Sequence, residues 1–436
     1  MNTNYRCSFY LLTSLFFMWG LITVLVDSLI PRLREVFELT YFQAGLVQFA
    51  FFIAYGLVSI PAGALLHRIG YKKGIIVGLS IMGLACLLFL PAASMRIYGV
   101  FLLAYFILAS GMTVLQVAAN PYVTVLGPAE TASSRLNLSQ AFNSLGTTIA
   151  PALGAIFILS DSIQSADEIA LLSVSESANY LAGEASAVQM PFLILAFMLF
   201  ALAAVVLFNK LPKLLNTTSH SNYSDVLKNR KLLLGALGIF VYVGAEVSIG
   251  SYLVNYFIDM NLADAIRNSS SMAWITEQIQ LTALSEVDDN GIVGSFVMFY
   301  WGGAMVGRFA GFYLTRQYQP GRILSLFALL AITAIVVSML SSGFVALWSI
   351  LAVGLFNSIM FPTIFSIAIE DLDDLKPQGS GVLCTAIAGG AFIPPLYGFF
   401  TDAAGFKMAF ILLLICYFYI WFYGKTFSSP AVSTTS

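Results

Sequence analysis

The chain contains twelve stretches of about 20 predominantly apolar residues, near 8–30, 42–66, 73–93, 97–126, 138–160, 189–209, 232–258, 291–314, 323–341, 344–369, 379–402 and 406–424. A stretch of that length matches the hydrocarbon thickness of a bilayer when it is helical. In lipid, every backbone N–H and C=O must be satisfied internally, so each run is expected as a transmembrane helix. The fold class is therefore an all-α membrane protein with twelve spans. Composition agrees: 59% of the 436 residues are hydrophobic and only 10% are charged, whereas soluble domains carry about 25% charged residues. The first run, Phe9 to Ile30, is too long for a signal-peptide core and is read as a retained span.

Two polar segments interrupt this pattern. Segment 161–188 is acidic, with Asp161, Asp167, Glu168, Glu176 and Glu184. Segment 210–231 is basic, with Lys210, Lys213, Lys228, Arg230 and Lys231 against Asp225. The second divides the runs into six and six. It is expected as a cytoplasmic linker between an N-terminal six-helix bundle (1–209) and a C-terminal one (232–436). With both termini inside, fourteen of the 20 basic residues fall on the cytoplasmic side, five (Arg32, Arg34, Arg96, Arg267, Lys407) fall outside, and Arg308 lies within a span. That asymmetry sets the orientation.

The halves echo each other. Gly63-x4-Arg68 closes the second span and Gly311-x4-Arg316 the eighth. Asn120-Pro121 is followed by Pro151-x-x-Gly154, and Phe361-Pro362 by Pro395-x-x-Gly398. Helix breakers in the same order suggest two pseudo-symmetric bundles. The scattered cysteines (Cys7, Cys86, Cys384, Cys416) and histidines (His67, His220) offer no metal-ligand spacing. No nucleophile–base pair or cofactor loop marks an enzyme, so no catalytic residue, metal or cofactor is expected.

An ionisable group within a span is costly and points to function. Asp27, one turn after Thr23 on the first span, and Glu246, one turn after Tyr242 on the seventh, are the two carboxylates of this kind. Ser248, Ser251 and Asn255 share a stripe on the seventh span. Thr113, Gln116 and Asn120 form another on the fourth, and Gln140, Asn143 and Thr147 a third on the fifth. One such stripe can glue helices together. Stripes on spans one, four, five and seven together point to a shared wet cavity. Gln and Asn offer donor and acceptor in one side chain, as neutral polyols require, and Trp19, Tyr300 or Trp301 could pack on a sugar ring.

The loop Gly63-Ala-Leu-Leu-His67-Arg68-Ile-Gly70-Tyr-Lys72-Lys73 resembles the gating loop between spans two and three of the major facilitator superfamily, with His67 where that family usually has Asp. Further motifs resemble the fucose:proton symporter family within it: Asp27-Ser-Leu-Ile-Pro31, Phe42-Gln43-Ala-Gly-Leu, Ala118-Ala-Asn120-Pro121-Tyr-Val-Thr-Val-Leu-Gly127, Arg135-Leu-Asn-Leu-Ser-Gln140-Ala-Phe-Asn143-Ser and Phe361-Pro-Thr-Ile-Phe-Ser366.

The resemblance implies secondary active sugar transport by alternating access. Asp27 matches the coupling carboxylate of the first span, and Gln140 and Asn143 match sugar-site amides. Gln116 stands where the fucose branch has a Glu, which resembles the glucose/galactose branch instead. The expected substrate-binding set is Gln116, Asn120, Gln140, Asn143, Glu246 and Asn255, with Asp27 for the coupling ion and Gly63, Arg68, Gly70 and Lys72 for the gating loop. An amide at 116 removes one proton acceptor, which favours sodium over a proton at Asp27. The expected partners are a small-molecule sugar and the lipid bilayer, without nucleic acid. The protein is expected as a monomer in a bacterial cytoplasmic membrane.

Overall fold

The computed structural model describes residues 3–36, 41–95, 97–157, 173–215 and 223–428, with the side chains of 3–4, 26–36, 41–45, 152–157 and 174–188 outside the described set. All regular structure among the described residues is helical. In chain order the helices are α1 (Thr3–Val36), α2 (Tyr41–Ile69), α3 (Tyr71–Met95), α4 (Tyr98–Val125), α5 (Ala132–Phe157), α6 (Val174–Phe208), α7 (Tyr223–Lys228), α8 (Arg230–Asp259), α9 (Leu262–Arg267), α10 (Ser270–Gln280), α11 (Asp289–Gly294), α12 (Val297–Gln317), α13 (Pro320–Leu340), α14 (Gly343–Asn357), α15 (Met360–Ala368), α16 (Lys376–Thr385), α17 (Gly389–Ala404) and α18 (Phe406–Thr426).

Eleven stretches among the described residues are long and apolar enough to cross a membrane. The polar α5 is the twelfth span. Three of the stretches are each built from two helices, and the eighth joins the short α11 to α12. The tenth span breaks at Ser358–Ile359, between α14 and α15, and the eleventh bends through a 3-10 turn at Ala386–Ala388 between α16 and α17. The spans expected near 344–369 and 379–402 are present, each with a break inside it. By contrast, Pro121 and Pro151 sit inside continuous helices. The expected acidic loop over 161–188 is also shorter, because α6 already starts at Val174. Residues 174–188 are rich in Ala, Glu and Ser and contain neither Pro nor a Gly pair, so nothing stops the helix there. Asp161, Asp167 and Glu168 lie outside the described residues.

The chain forms two compact units. The first comprises Met1–Ala129, Phe142–Asn229 and Asp371–Thr385; the second comprises Glu130–Ala141, Arg230–Glu370 and Ala386–Ser436. Each is packed through glycine. In the first, Gly78 of α3 meets Gly111 of α4. A Cβ on Gly78 would lie 2.7 Å from the Leu115 amide nitrogen, and one on Gly111 2.9 Å from the Gly78 carbonyl. Neither backbone can retreat, so only glycine permits the approach, as is usual where van der Waals contact drives helix association in lipid. Phe89 of α3 stacks on Phe192 of α6 with centroids 4.2 Å apart. In the second unit, Gly354 of α14 rests against the Tyr300 carbonyl of α12, and Gly303 of α12 lies against Leu355.

The residues expected to form a gating loop lie at the end of α2 and the start of α3. Gly70 has φ +81°, a left-handed turn for which glycine is suited, and its N–H donates to the Leu66 carbonyl at 2.8 Å. Lys72 Nζ donates to the Leu207 and Asn209 carbonyls at 2.8 and 3.0 Å, capping the negative end of α6. Arg68 is exposed and His67 is buried. Gly63 lets Pro377 of α16 approach α2. Tyr223 of α7 donates its phenol proton to the Ile60 carbonyl. Burial pushes that phenol up to about 12, so it remains a donor throughout the physiological range.

Candidate functional site

Two polar clusters stand out, one in each unit. The first is built on α1, α2, α4 and α5. Gly20 and Gly146 bring α1 against α5, since a Cβ on either would run into backbone of the other helix. The approach lets Asn143 Nδ2 donate to the Phe16 carbonyl at 2.9 Å. Gln116 Nε2 of α4 donates to the Tyr55 hydroxyl of α2 at 2.7 Å. Tyr55 is 1% exposed and leans on Phe51, centroids 5.4 Å apart. Both amides are half-buried. Each is held by one N–H and keeps its second N–H and its oxygen for a further partner.

Other members of the sequence stripes look inward to their own helix. Thr23 donates to the Trp19 carbonyl, Thr113 to Ala109 and Thr147 to Ser144. Asn120 and Gln140 are buried. Gln140 lies in the stretch of α5 belonging to the second unit, while Asn143 belongs to the first. Asp27 falls on α1, and its side chain lies outside the described set.

The second cluster surrounds Glu246 in the middle of α8. Its electrostatic neighbours are the Arg308 guanidinium of α12 and the Tyr242 hydroxyl one turn earlier. Tyr300 donates to the Glu246 backbone carbonyl at 3.3 Å. Asn357 Nδ2, at the last residue of α14, donates to the Tyr300 hydroxyl at 2.7 Å, and Tyr417 of α18 donates to Asn357 Oδ1, also at 2.7 Å. Arg308 Nε donates to the Ser358 carbonyl at 3.2 Å, right at the break in the tenth span. Gly307 makes that reach possible, because a Cβ there would strike Ser358 and Leu355.

The structure does not bring Asn255 into this cluster. Nine residues beyond Glu246 is two and a half helical turns, the opposite side of α8, and Asn255 and Ser251 are exposed. Tyr300 is fully buried in the hydrogen-bond chain, whereas Trp301 is 47% exposed. The sequence stripes missed Tyr55, Asn357, Ser358 and Tyr417. An Asn inside the apolar run before Phe361-Pro362 was the available signal for Asn357.

Comparison with known proteins agrees with this architecture. Residues 9–393 match the Major Facilitator Superfamily. The chain is 48% identical over 424 residues to a protein of Brucella abortus biovar 1 named glucose/galactose transporter, covering 97% of this chain and 94% of that one. It is 34% identical over 443 residues to the L-fucose-proton symporter of Escherichia coli K12, covering 99% and 95%. It also superimposes on the crystal structure of the superfamily transporter FucP in the outward conformation, with a TM-score of 0.87 and 33% identity over 98% of this chain and all of that one. The chain belongs to the Major Facilitator Superfamily, and within it to the fucose:proton symporter family whose motifs it resembles.

Proposed function

We propose that this protein imports a neutral hexose, with glucose or galactose favoured, across the bacterial cytoplasmic membrane by symport with a cation. Both termini face the cytoplasm, on the distribution of basic residues. The single observation that carries the reading is the 48% identity along nearly the whole chain to a protein named glucose/galactose transporter. The geometry supports it. Gln116 and Asn143 are each anchored by one hydrogen bond and keep a donor and an acceptor, the pair a sugar hydroxyl can engage on both sides. Gln140 lies three residues before Asn143 on the same face of α5.

Asp27 is the coupling carboxylate in this reading, for a proton or for sodium. The alternatives are another sugar of the family (N-acetylglucosamine, mannose, fructose or fucose) or a sugar facilitator without ion coupling. Uptake of labelled hexose into proteoliposomes, challenged with unlabelled competitors with and without sodium, tests the proposal. Competition by glucose and galactose at concentrations where L-fucose, N-acetylglucosamine, mannose and fructose do not compete is expected. Inhibition by amino acids or organic acids but by no sugar would overturn it.

A further inference from the structure

The sequence groups Glu246 with the sugar-binding residues, but its neighbours in the structure are a guanidinium and three phenols, those of Arg308, Tyr242, Tyr300 and Tyr417. It sits midway along α8. We propose that Glu246 is a proton-binding site of the transport cycle and supplies the titratable group that Gln116 cannot. This inference rests on the sugar-transport reading. In the first unit the residue expected to share proton handling is an amide, which neither gains nor loses a proton near neutral pH. In the second unit, Glu246 is a half-buried carboxylate.

The groups around it favour a proton over a metal cation. From α12, Arg308 and Tyr300 face it; from α18, Tyr417; from its own helix, Tyr242. Helices α14 and α15 contribute no titratable side chain. On α17, Asp402 acts on Tyr252 instead, and Asp264 of α9 and Asp289 of α11 are each paired with Arg267 of α9. A sodium ion at Glu246 would be repelled at close range by the guanidinium, strongly so in a low-dielectric interior. A proton bonds directly to a carboxylate oxygen and needs no coordination shell. The Tyr242 hydroxyl, 1% exposed, neighbours that carboxylate and can accept from the resulting O–H.

The proton comes from outside water, forms one O–H bond on Glu246 and leaves to inside water; no bond in the sugar changes. Its link to conformation runs through Arg308. With Glu246 ionised, its charge attracts the guanidinium, which donates to the Ser358 carbonyl at the break between α14 and α15. With Glu246 protonated, the pull from the carboxylate is gone and the break is released from it. Glu246 is thus a proton carrier, and Arg308 a positioning residue.

The test uses the full-length protein in sodium-free proteoliposomes with [14C]galactose and an external pH indicator. Wild type is expected to show galactose counterflow and galactose-driven proton uptake. In Glu246→Gln the ratio of proton uptake to galactose counterflow is expected to fall at least tenfold. Glu246→Asp should restore proton uptake with its pH profile displaced from wild type. Absent counterflow in wild type would defeat the sugar-transport reading itself. Counterflow without proton uptake in wild type, or undiminished uptake in Glu246→Gln, would overturn the proton site alone. If Glu246→Gln is inactive in every assay, Glu246→Asp decides: an active protein with an unshifted pH profile overturns the proposal, and a shifted profile supports it.

Discussion

The amide cluster of the first unit and the charged cluster of the second use the same construction for opposite ends. In both, glycines let two helices approach until a side chain reaches a backbone carbonyl: Asn143 to Phe16 in one, Arg308 to Ser358 in the other. The first cluster spends few hydrogen bonds on itself, and its amides keep capacity for a ligand. The second is closed, with Tyr417, Asn357 and Tyr300 satisfying one another in series. An open amide pair suits a neutral polyol that comes and goes. A closed network around a carboxylate and a guanidinium suits a charge that must be held in place.

The comparison can be broken or sharpened by substitution. The largest effect belongs to the coupling group. Asp27→Asn is expected to reduce the inside-to-outside sugar ratio to one in uptake assays while sugar exchange persists; accumulation that survives would move coupling away from α1. Next, Arg308→Ala leaves Glu246 without its counter-charge in the membrane interior. Losing the charged donor to the Ser358 carbonyl beside a half-buried carboxylate should cost about 2 to 3 kcal/mol, and a fall of that size should appear in thermal unfolding of the detergent-solubilised protein.

Smaller effects follow from neutral groups. Tyr417→Phe leaves the buried Asn357 Oδ1 unsatisfied and should cost about 2 kcal/mol, with a normal affinity for sugar; a changed affinity would show that the closed network is open after all. Gln116→Ala should do the reverse, weakening sugar binding about tenfold, close to 1.4 kcal/mol, with little loss of stability. Both are read by ligand-dependent melting. Least of all, Lys72→Met removes the cap on the last carbonyls of α6 and should cost about 0.5 kcal/mol, leaving both clusters untouched.

Much of this was legible in the chain. Asp27, Gln116, Asn143 and Glu246 stand out because polar side chains are rare in apolar runs, and Arg308 because it is the sole basic residue inside one. Their partners were not legible. Tyr55 and Tyr417 look like two more aromatics in a chain with 20 tyrosines, and nothing in a list of residues says which hydroxyl points inward. The grouping of Asn255 with Glu246 fails on helical phase: both are polar and near in sequence, yet half a turn apart around α8.

The sequence alone determined the number of spans and the helical class, because lipid offers the backbone no partner and leaves a long apolar run only one way to satisfy itself. The tertiary structure alone decided which polar groups meet. Contacts such as Arg308 with Ser358 or Tyr417 with Asn357 join residues 50 and 60 positions apart. They depend on where glycines permit close approach and where the tenth span breaks, and neither is fixed by local hydrophobicity.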